Sequence, residues 1–232
     1  MAELAAWLRD PSPKSRLQAR LGQGYMGWLR FRRNPLAMIG LLIVLLLLVV
    51  AALAPVLAPH DPITQDLRMR LLPPLTGGHI LGTDDFGRDI LSRLIMGSRI
   101  TLFIIAMVAV TAPLFGMLVG TVAGYFGGLV DEVLMRLTDI FLAFPKLILA
   151  LALVAVLGPG MENAVLAIAL TSWPPYARVA RAETLTVRNS DYIAAVRLQG
   201  AGAGRIILGH VMPMCLPSVI IRVTLDMAGV IL

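Results

Sequence analysis

Four charged residues sit inside otherwise apolar stretches of this sequence: Asp139 and Lys146, seven positions apart, and Arg222 and Asp226, four apart. A charge at the centre of a bilayer costs about 2.5–3.5 kcal/mol on insertion scales, so such groups usually face water or a protein interior. Spacing of seven puts Asp139 and Lys146 on one face of a continuous helix, and spacing of four lets Arg222 and Asp226 pair. The chemistry open to all four is the lining of a polar pathway. Two plainer readings stand beside it: Lys146 snorkels from a helix that extends into the cytoplasm, and Arg222 with Asp226 only fixes helix packing.

Other candidates carry less. Asp84, Asp85 and Asp89 follow His79, but the spacing fits no metal-ligand pattern and no metal site is expected. Gly200-Ala201-Gly202-Ala203-Gly204-Arg205 is glycine-rich but lacks the G-x-x-x-x-G-K-[ST] phosphate cradle, so ATP hydrolysis is not expected of this chain. His60, His79 and His210 lie outside the apolar stretches or near their ends, which leaves no catalytic set within the membrane. With Cys215 as the only cysteine, an internal disulfide is excluded.

The elements that must position these residues are membrane spans. Of the 232 residues, 58% are hydrophobic, 15% charged and 6% aromatic. The mean hydropathy is +0.82. Too little polar surface remains to cover a soluble domain, and a disordered tail or a secreted disulfide scaffold is equally excluded. Apolar stretches long enough to span occur at 36–58, 100–123, about 134–157, about 163–179 and from 212 to the end. Lipid demands internally bonded backbone, so these are helices: four complete and a fifth cut by the end of the chain. The first is a retained span, because a polar arm precedes it and its length exceeds a signal core.

Charge orients the spans. Arg9, Lys14, Arg16, Arg20, Arg30, Arg32 and Arg33 precede the first against Glu3 and Asp10. Segment 59–99 holds five basic and five acidic residues, while 177–210 carries Arg178, Arg181, Arg188, Arg197 and Arg205 against Glu183 and Asp191. Basic loops face the cytoplasm, which places the N-terminus there. The net charge of +6 and pI of about 10.2 are then a topology signal and not a mark of nucleic-acid binding. The expected organisation is a cytoplasmic arm at 1–35, a first transmembrane helix at 36–58, an external segment at 59–99 and a transmembrane core at 100–232 containing a cytoplasmic loop at 181–213.

Pro59, Pro62, Pro73, Pro74, Gly77 and Gly78 make the outer segment irregular at first. Thr83 or Asp84 can then cap a surface helix whose Ile90, Leu91, Leu94 and Ile95 share one face and whose Asp89 and Arg93 pair. That helix either lies on the membrane or meets an external partner. Gly116, Gly120 and Gly124 repeat every four residues, a spacing that admits a close neighbour helix from this chain or from another subunit. Pro113 is expected to bend that span, and residues 125–128 to turn on the cytoplasmic side.

After the fourth span, Asp191 to Ala201 reads as a short helix ending at Gly200, followed by a second helix ending at Pro213. The order Tyr192-x-x-Ala195-x-x-x-x-Gly200-Ala201, with Met212-Pro213 further on, resembles the EAA loop of ABC importer permeases. Phe31-Arg32-Arg33-Asn34-Pro35, Leu81-Gly82-Thr83-Asp84-Asp85-Phe86-Gly87-Arg88-Asp89, Gly124-Tyr125-Phe126-Gly127-Gly128 and Ala143-Phe144-Pro145 are similar to the second, C-type permease of the dipeptide, oligopeptide and nickel importers. Ala194 stands where that loop has glutamate, Val196 where it has its second alanine, and Met212 where it has leucine.

The resemblance implies an all-α polytopic bundle of the type I importer fold, about five of an expected six spans, with the sequence stopping short of the natural end. It implies a multi-pass permease of the bacterial inner membrane, half of a translocation pathway, in a heterodimer with a second permease. Two cytoplasmic ATPase subunits, which hold the ATP and Mg, and an external substrate-binding protein complete it; this chain itself holds no cofactor. Tyr192, Ala195, Arg197, Gly200 and Ala201 are the residues implied to couple to the ATPase. Peptides are the favoured ligand class among dipeptides, longer peptides, nickel chelates, glutathione and sugars. The rival class is an ion-coupled secondary transporter, which would need titratable groups near the midplane and often inverted repeats.

Overall fold

The computed structural model describes Trp7 and residues 15–231. Glu3, Arg9, Asp10 and Lys14 of the basic arm, and Leu232, lie outside the described residues. Most of those described are helical and 58–89 is largely irregular, with no strand among them and only two isolated bridges, Thr76 to His79 and Thr83 to Asp89. The chain divides into two compact units, Met1–Arg99 and Ile100–Leu232.

In the first unit, Ser15 caps α1, Arg16–Arg32, by accepting from the Gln18 amide at 3.1 Å. Asn34 caps α2, Pro35–Ala52, with its carbonyl oxygen 3.1 Å from the Leu36 amide and 3.3 Å from that of Ala37. Pro35 costs nothing there, because a first-turn N–H has no partner within the helix. A short α3, Ala54–Leu57, follows. Most side chains of α2, among them Leu36, Leu42 and Leu46, are exposed, while Ala51 near its end is buried.

The outer segment is pinned by side chains. Thr83 Oγ1 accepts from the Leu72 amide at 2.9 Å and donates to the Met69 carbonyl. Gly87 has φ +72, and a Cβ there would overlap the Asp66 backbone, so only glycine fits. Asp84 folds back on the amides of Phe86 (2.9 Å) and Arg88 (3.0 Å), and its carboxylate meets Arg88 at 2.8 Å and Arg93 at 3.3 Å. Desolvation is the largest single influence on Asp84 and would raise its pKa, but the Arg88 and Phe86 hydrogen bonds together hold it down at about 2.

These contacts correct two expectations. Neither Thr83 nor Asp84 caps the following helix; Asp89 does, accepting from the Ser92 amide at 2.7 Å. Arg93 pairs with Asp84, and Asp89 with His79 at 2.9 Å. Nor is there a separate surface helix. Residues 90–100 run into the second span as one helix, α4, Ile90–Phe126, of 37 residues. At 1.5 Å per residue it is about 55 Å long, well beyond the apolar thickness of a bilayer.

In the second unit, α4 ends at Gly127, φ +67, and α5 runs Gly128–Ala143. The expected third span is broken. Pro145 drives Phe144 to an extended backbone, φ −91 and ψ 140, and α6, Lys146–Leu157, leaves at 94° to α5. Asp139 and Lys146 therefore share no helix face. The expected fourth span is also divided, into α7, Met161–Ser172, and α8, Pro174–Val187. Then come α9, Asp191–Leu198, α10, Ala203–Ile206, a π-helical turn at Ile207–Val211, and α11, Met212–Ile231.

The expected stop at Pro213 is absent. The π-helical turn at Ile207–Val211 just ahead of it widens the backbone where a proline ring would otherwise meet the carbonyl four residues back. Among the described residues, three helices are long and apolar enough to cross a membrane, Pro35–Ala52, Ile90–Phe126 and Ala203–Met227, and the bent pair adds a fourth if it forms one span.

The glycine face of α4 packs on α8 of the same chain. A Cβ on Gly116 would strike the Trp173 carbonyl and the Tyr176 side chain, one on Gly120 the Ala177 carbonyl, and one on Gly124 the Thr184 side chain. Beside Gly116, Phe115 packs edge-on to Trp173, with ring centroids 5.3 Å apart.

Two outcomes are expected from this arrangement. Gly120→Ala should destabilise detergent-purified protein by about 1–3 kcal/mol, the usual cost of overpacking, whereas Gly97→Ala, in open space on the same helix, should be neutral or gain up to about 1 kcal/mol of helix propensity. Thermal unfolding measures both. The lowered pKa of Asp84 stabilises the outer segment above its ordinary value of 3.8, and this is lost as pH falls towards about 2. Pepsin cleavage within 66–89 should therefore rise between those limits, and less so in Asp84→Asn.

Candidate functional site

The segment after α8 forms a capped helix and a glycine turn. Ser190 Oγ accepts from the Ile193 amide at 3.4 Å and Asp191 occupies the first turn, both favourable at a helix start. Ile193 and Val196, three apart, bury their side chains with Ile206, Ile207 and Val211. Gly200, at φ +81, turns the chain out of α9 in open space, and the Ala201 amide returns to the Val196 carbonyl at 3.4 Å. Ala201 itself is half-buried against the core.

The opposite face of α9 is bare. Tyr192, Ala194, Ala195, Arg197 and Leu198 are all exposed, Leu198 to 90%. Tyr192 is held by its hydroxyl, 2.6 Å from His210 Nδ1, and the Arg197 guanidinium lies 5.2 Å from the Tyr125 ring centroid. Of the five residues singled out in the sequence, Tyr192, Ala195 and Arg197 thus share the exposed face, Gly200 forms the turn and Ala201 packs inward. Leu198 and the His210 partner were missed. The available signal was an apolar residue off the Ile193/Val196 stripe.

Polar bonds tie the preceding α8 to the other helices. Arg181 grips Asp131 with two parallel bonds of 2.5 and 2.6 Å, joining α8 to α5. Arg188 donates to the Gly124 carbonyl at 2.8 Å, joining α8 to the end of α4. Ser218 donates to Glu183 at 2.5 Å and Thr184 meets Cys215 at 3.7 Å, joining α8 to α11.

A cavity of about 460 Å³ opens among α5, α6, α7, α8 and α11. Lys146, Arg222, Asp226 and Tyr176 supply its polar wall, and Phe141, Phe144 and Leu225 part of its apolar one. Arg222 Nε donates to Asp226 at 2.9 Å, the pairing their spacing predicts. Asp139 is elsewhere: it bonds Arg178 at 2.7 Å, with both side chains more than half exposed. The structure therefore gathers three of the four charged candidates in one cavity and separates the fourth.

Membrane-length apolar helices, a bent helix pair and a polar cavity are features of a membrane transport subunit, and the family likenesses agree. Residues 116–232 match the family of binding-protein-dependent transport system inner membrane components, and residues 22–74 match the N-terminal transmembrane domain of oligopeptide transport permease C. The chain is 40% identical to the dipeptide transport system permease protein DppC of Haemophilus influenzae over 88% of its own length and 71% of the relative's. It is 44% identical to the di/tripeptide transport system permease protein DppC of Pseudomonas aeruginosa, over 88% and 69%. To the nickel transport system permease protein NikC of Escherichia coli it is 38% identical, over 84% and 70%. The chain belongs to the C-type permeases of the dipeptide, oligopeptide and nickel branch of ABC importers. Nothing in these likenesses favours an ion-coupled secondary transporter.

The two ion pairs of α8 should respond differently. Arg181→Lys loses the bidentate grip on Asp131 and should lower the melting temperature of the purified protein. Asp139→Asn removes an exposed pair worth at most about 1 kcal/mol and should leave that temperature nearly unchanged.

Proposed function

We propose that this chain is the C-type permease of a peptide importer, working with a second permease, two cytoplasmic ATPase subunits and an external binding protein. ATP and Mg are held by the ATPases, not by this chain, and the N-terminus lies in the cytoplasm. The observation that carries the reading is α9: its inner face is locked into the core while its outer face, Tyr192, Ala195, Arg197 and Leu198, is left bare. A rigid helix with one uncommitted face suits a groove on a partner that changes shape with ATP. Closure of the ATPases would pull on α9, and the bonds of α8 to α4, α5 and α11 would pass the displacement to the cavity.

The cavity supports the peptide reading by its chemistry. Lys146 and Arg222 offer cationic contacts to a carboxylate, Asp226 an anionic contact to an ammonium, and Phe141 and Phe144 apolar wall for side chains. A peptide is a zwitterion that carries such groups at its ends and side chains between them. Its selectivity is set chiefly upstream, by the binding protein. The names of the dipeptide, di/tripeptide and oligopeptide permeases among its relatives point the same way.

The test is uptake of labelled di- and tripeptides by cells whose other peptide importers are deleted, with ATPase activity of the reconstituted complex measured in parallel. Wild type should restore uptake that stops when the ATPase subunits are deleted; uptake that persists and follows an ion gradient would defeat the reading. Leu198→Asp should insert normally yet lower uptake about tenfold or more, since burying a leucine contributes about 1.5–3 kcal/mol to docking. Gly200→Trp should abolish uptake, because a bulky residue at φ +81 distorts the turn that sets the helix.

A further inference from the structure

We propose that His60, His79 and Asp89 form a binding site for a divalent transition-metal ion of the zinc type in the outer segment. The three come from separate stretches of the first unit: the start of the irregular segment, the 76–79 turn and the cap of α4. Their ligand atoms all lie within 4.8 Å of one another. His79 Nδ1 is 2.9 Å from Asp89 Oδ1, and His60 Nδ1 is 3.8 Å from the same oxygen. The two imidazoles lie with centroids 4.6 Å apart and planes at 36°.

A tetrahedral ion with bonds of about 2.0–2.2 Å holds its ligand atoms about 3.3 Å apart. The present spacings bracket that figure, so side-chain shifts of under about 1 Å would close the site. A hydrogen bond accounts for His79 against Asp89. It does not account for His60, whose Nδ1 faces the same oxygen from beyond hydrogen-bonding distance. An ion between the three nitrogen and oxygen atoms accounts for both.

The surroundings are those of a held ligand set. The second carboxylate oxygen of Asp89 accepts from the Ser92 amide at 2.7 Å and the Ser92 hydroxyl at 2.6 Å, which fixes the carboxylate and leaves Oδ1 for the histidines. Ser92 Oγ also accepts from the His60 amide at 3.0 Å, fixing that residue's backbone beside the site. Asp89 is fully buried and His79 nearly so, while the His60 side chain is 41% exposed, which gives an ion a way in and a fourth position for water. Arg88 and Arg93, the nearby cations in sequence, are engaged by Asp84. Two imidazoles and one carboxylate are too nitrogen-rich for calcium or magnesium and suit zinc, nickel, cobalt or copper.

The site does not depend on the peptide reading, since ion binding is measured without transport. The full chain, purified with its co-expressed partner subunits and stripped with a chelator, is titrated with Zn²⁺ against a chromophoric competitor, and Co²⁺ substitution is followed by its visible ligand-field bands. One saturable equivalent should bind, with the intense bands of a tetrahedral or five-coordinate nitrogen–oxygen site. His60→Ala should weaken binding by more than about 100-fold and abolish the bands, and Ser92→Ala by about 10–100-fold through loss of carboxylate orientation. If His79→Ala fails to fold, the exposed His60 carries the test, with circular dichroism as the control. No saturable equivalent in wild type, or unchanged affinity in His60→Ala, would overturn the proposal.

Discussion

The backbone of α8 lies against the glycine face of α4, and the arrangement of the second unit depends on that approach. Between helices in lipid, burial of apolar surface contributes little, so association rests on close van der Waals contact and on polar bonds. Gly116, Gly120 and Gly124 supply the first, because a side chain at any of them would occupy space held by Trp173, Ala177 or Thr184. Once α8 is seated, its other faces meet further helices: Arg181 reaches Asp131 on α5, Glu183 reaches Ser218 on α11, and Arg188 caps the α4 carbonyl at Gly124. Only three residues, 188–190, separate the end of α8 from the start of α9, so the position of α9 follows from the same contact.

The broken spans and the cavity are one feature. Residues on both sides of each break line it: Leu142, Phe144 and Lys146 at the first, and Ser172, Pro175 and Tyr176 at the second. Irregular backbone at membrane depth is tolerated where protein or water, and not lipid, surrounds it. Prolines at 145 and 174 therefore do more than interrupt helices. The cavity beside them holds Lys146, Arg222 and Asp226.

The outer segment is organised differently, with almost no regular structure. Its order comes from side chains that take the place of a backbone ladder: Thr83 bridging Leu72 and Met69, Asp84 gathering Phe86, Arg88 and Arg93, and Asp89 joining Ser92 to His79. Short polar residues beside glycines at 82 and 87, where backbone replaces any side chain, make such a fold compact without an apolar core.

Much of this was legible in the residues. Hydropathy over windows of about 20 residues identified a polytopic helical protein, because lipid leaves the backbone no other choice. The spacing of Gly116, Gly120 and Gly124 identified a packing face, the Arg222–Asp226 interval a pair, and Tyr192 to Ala201 a capped helix and turn, since each is local in sequence. Whatever joined distant residues was decided by the tertiary structure. Asp139 and Lys146 were assigned one face on the premise of an unbroken helix, and the 94° bend at Pro145 parts them. Asp139 found Arg178, and Asp89 found His79 in place of Arg93, because a side chain bonds the partner that packing brings within reach and not the one at helical spacing. His60, His79 and Asp89 show no ligand spacing as a string, yet the fold of the first unit sets their nitrogen and oxygen atoms within 4.8 Å.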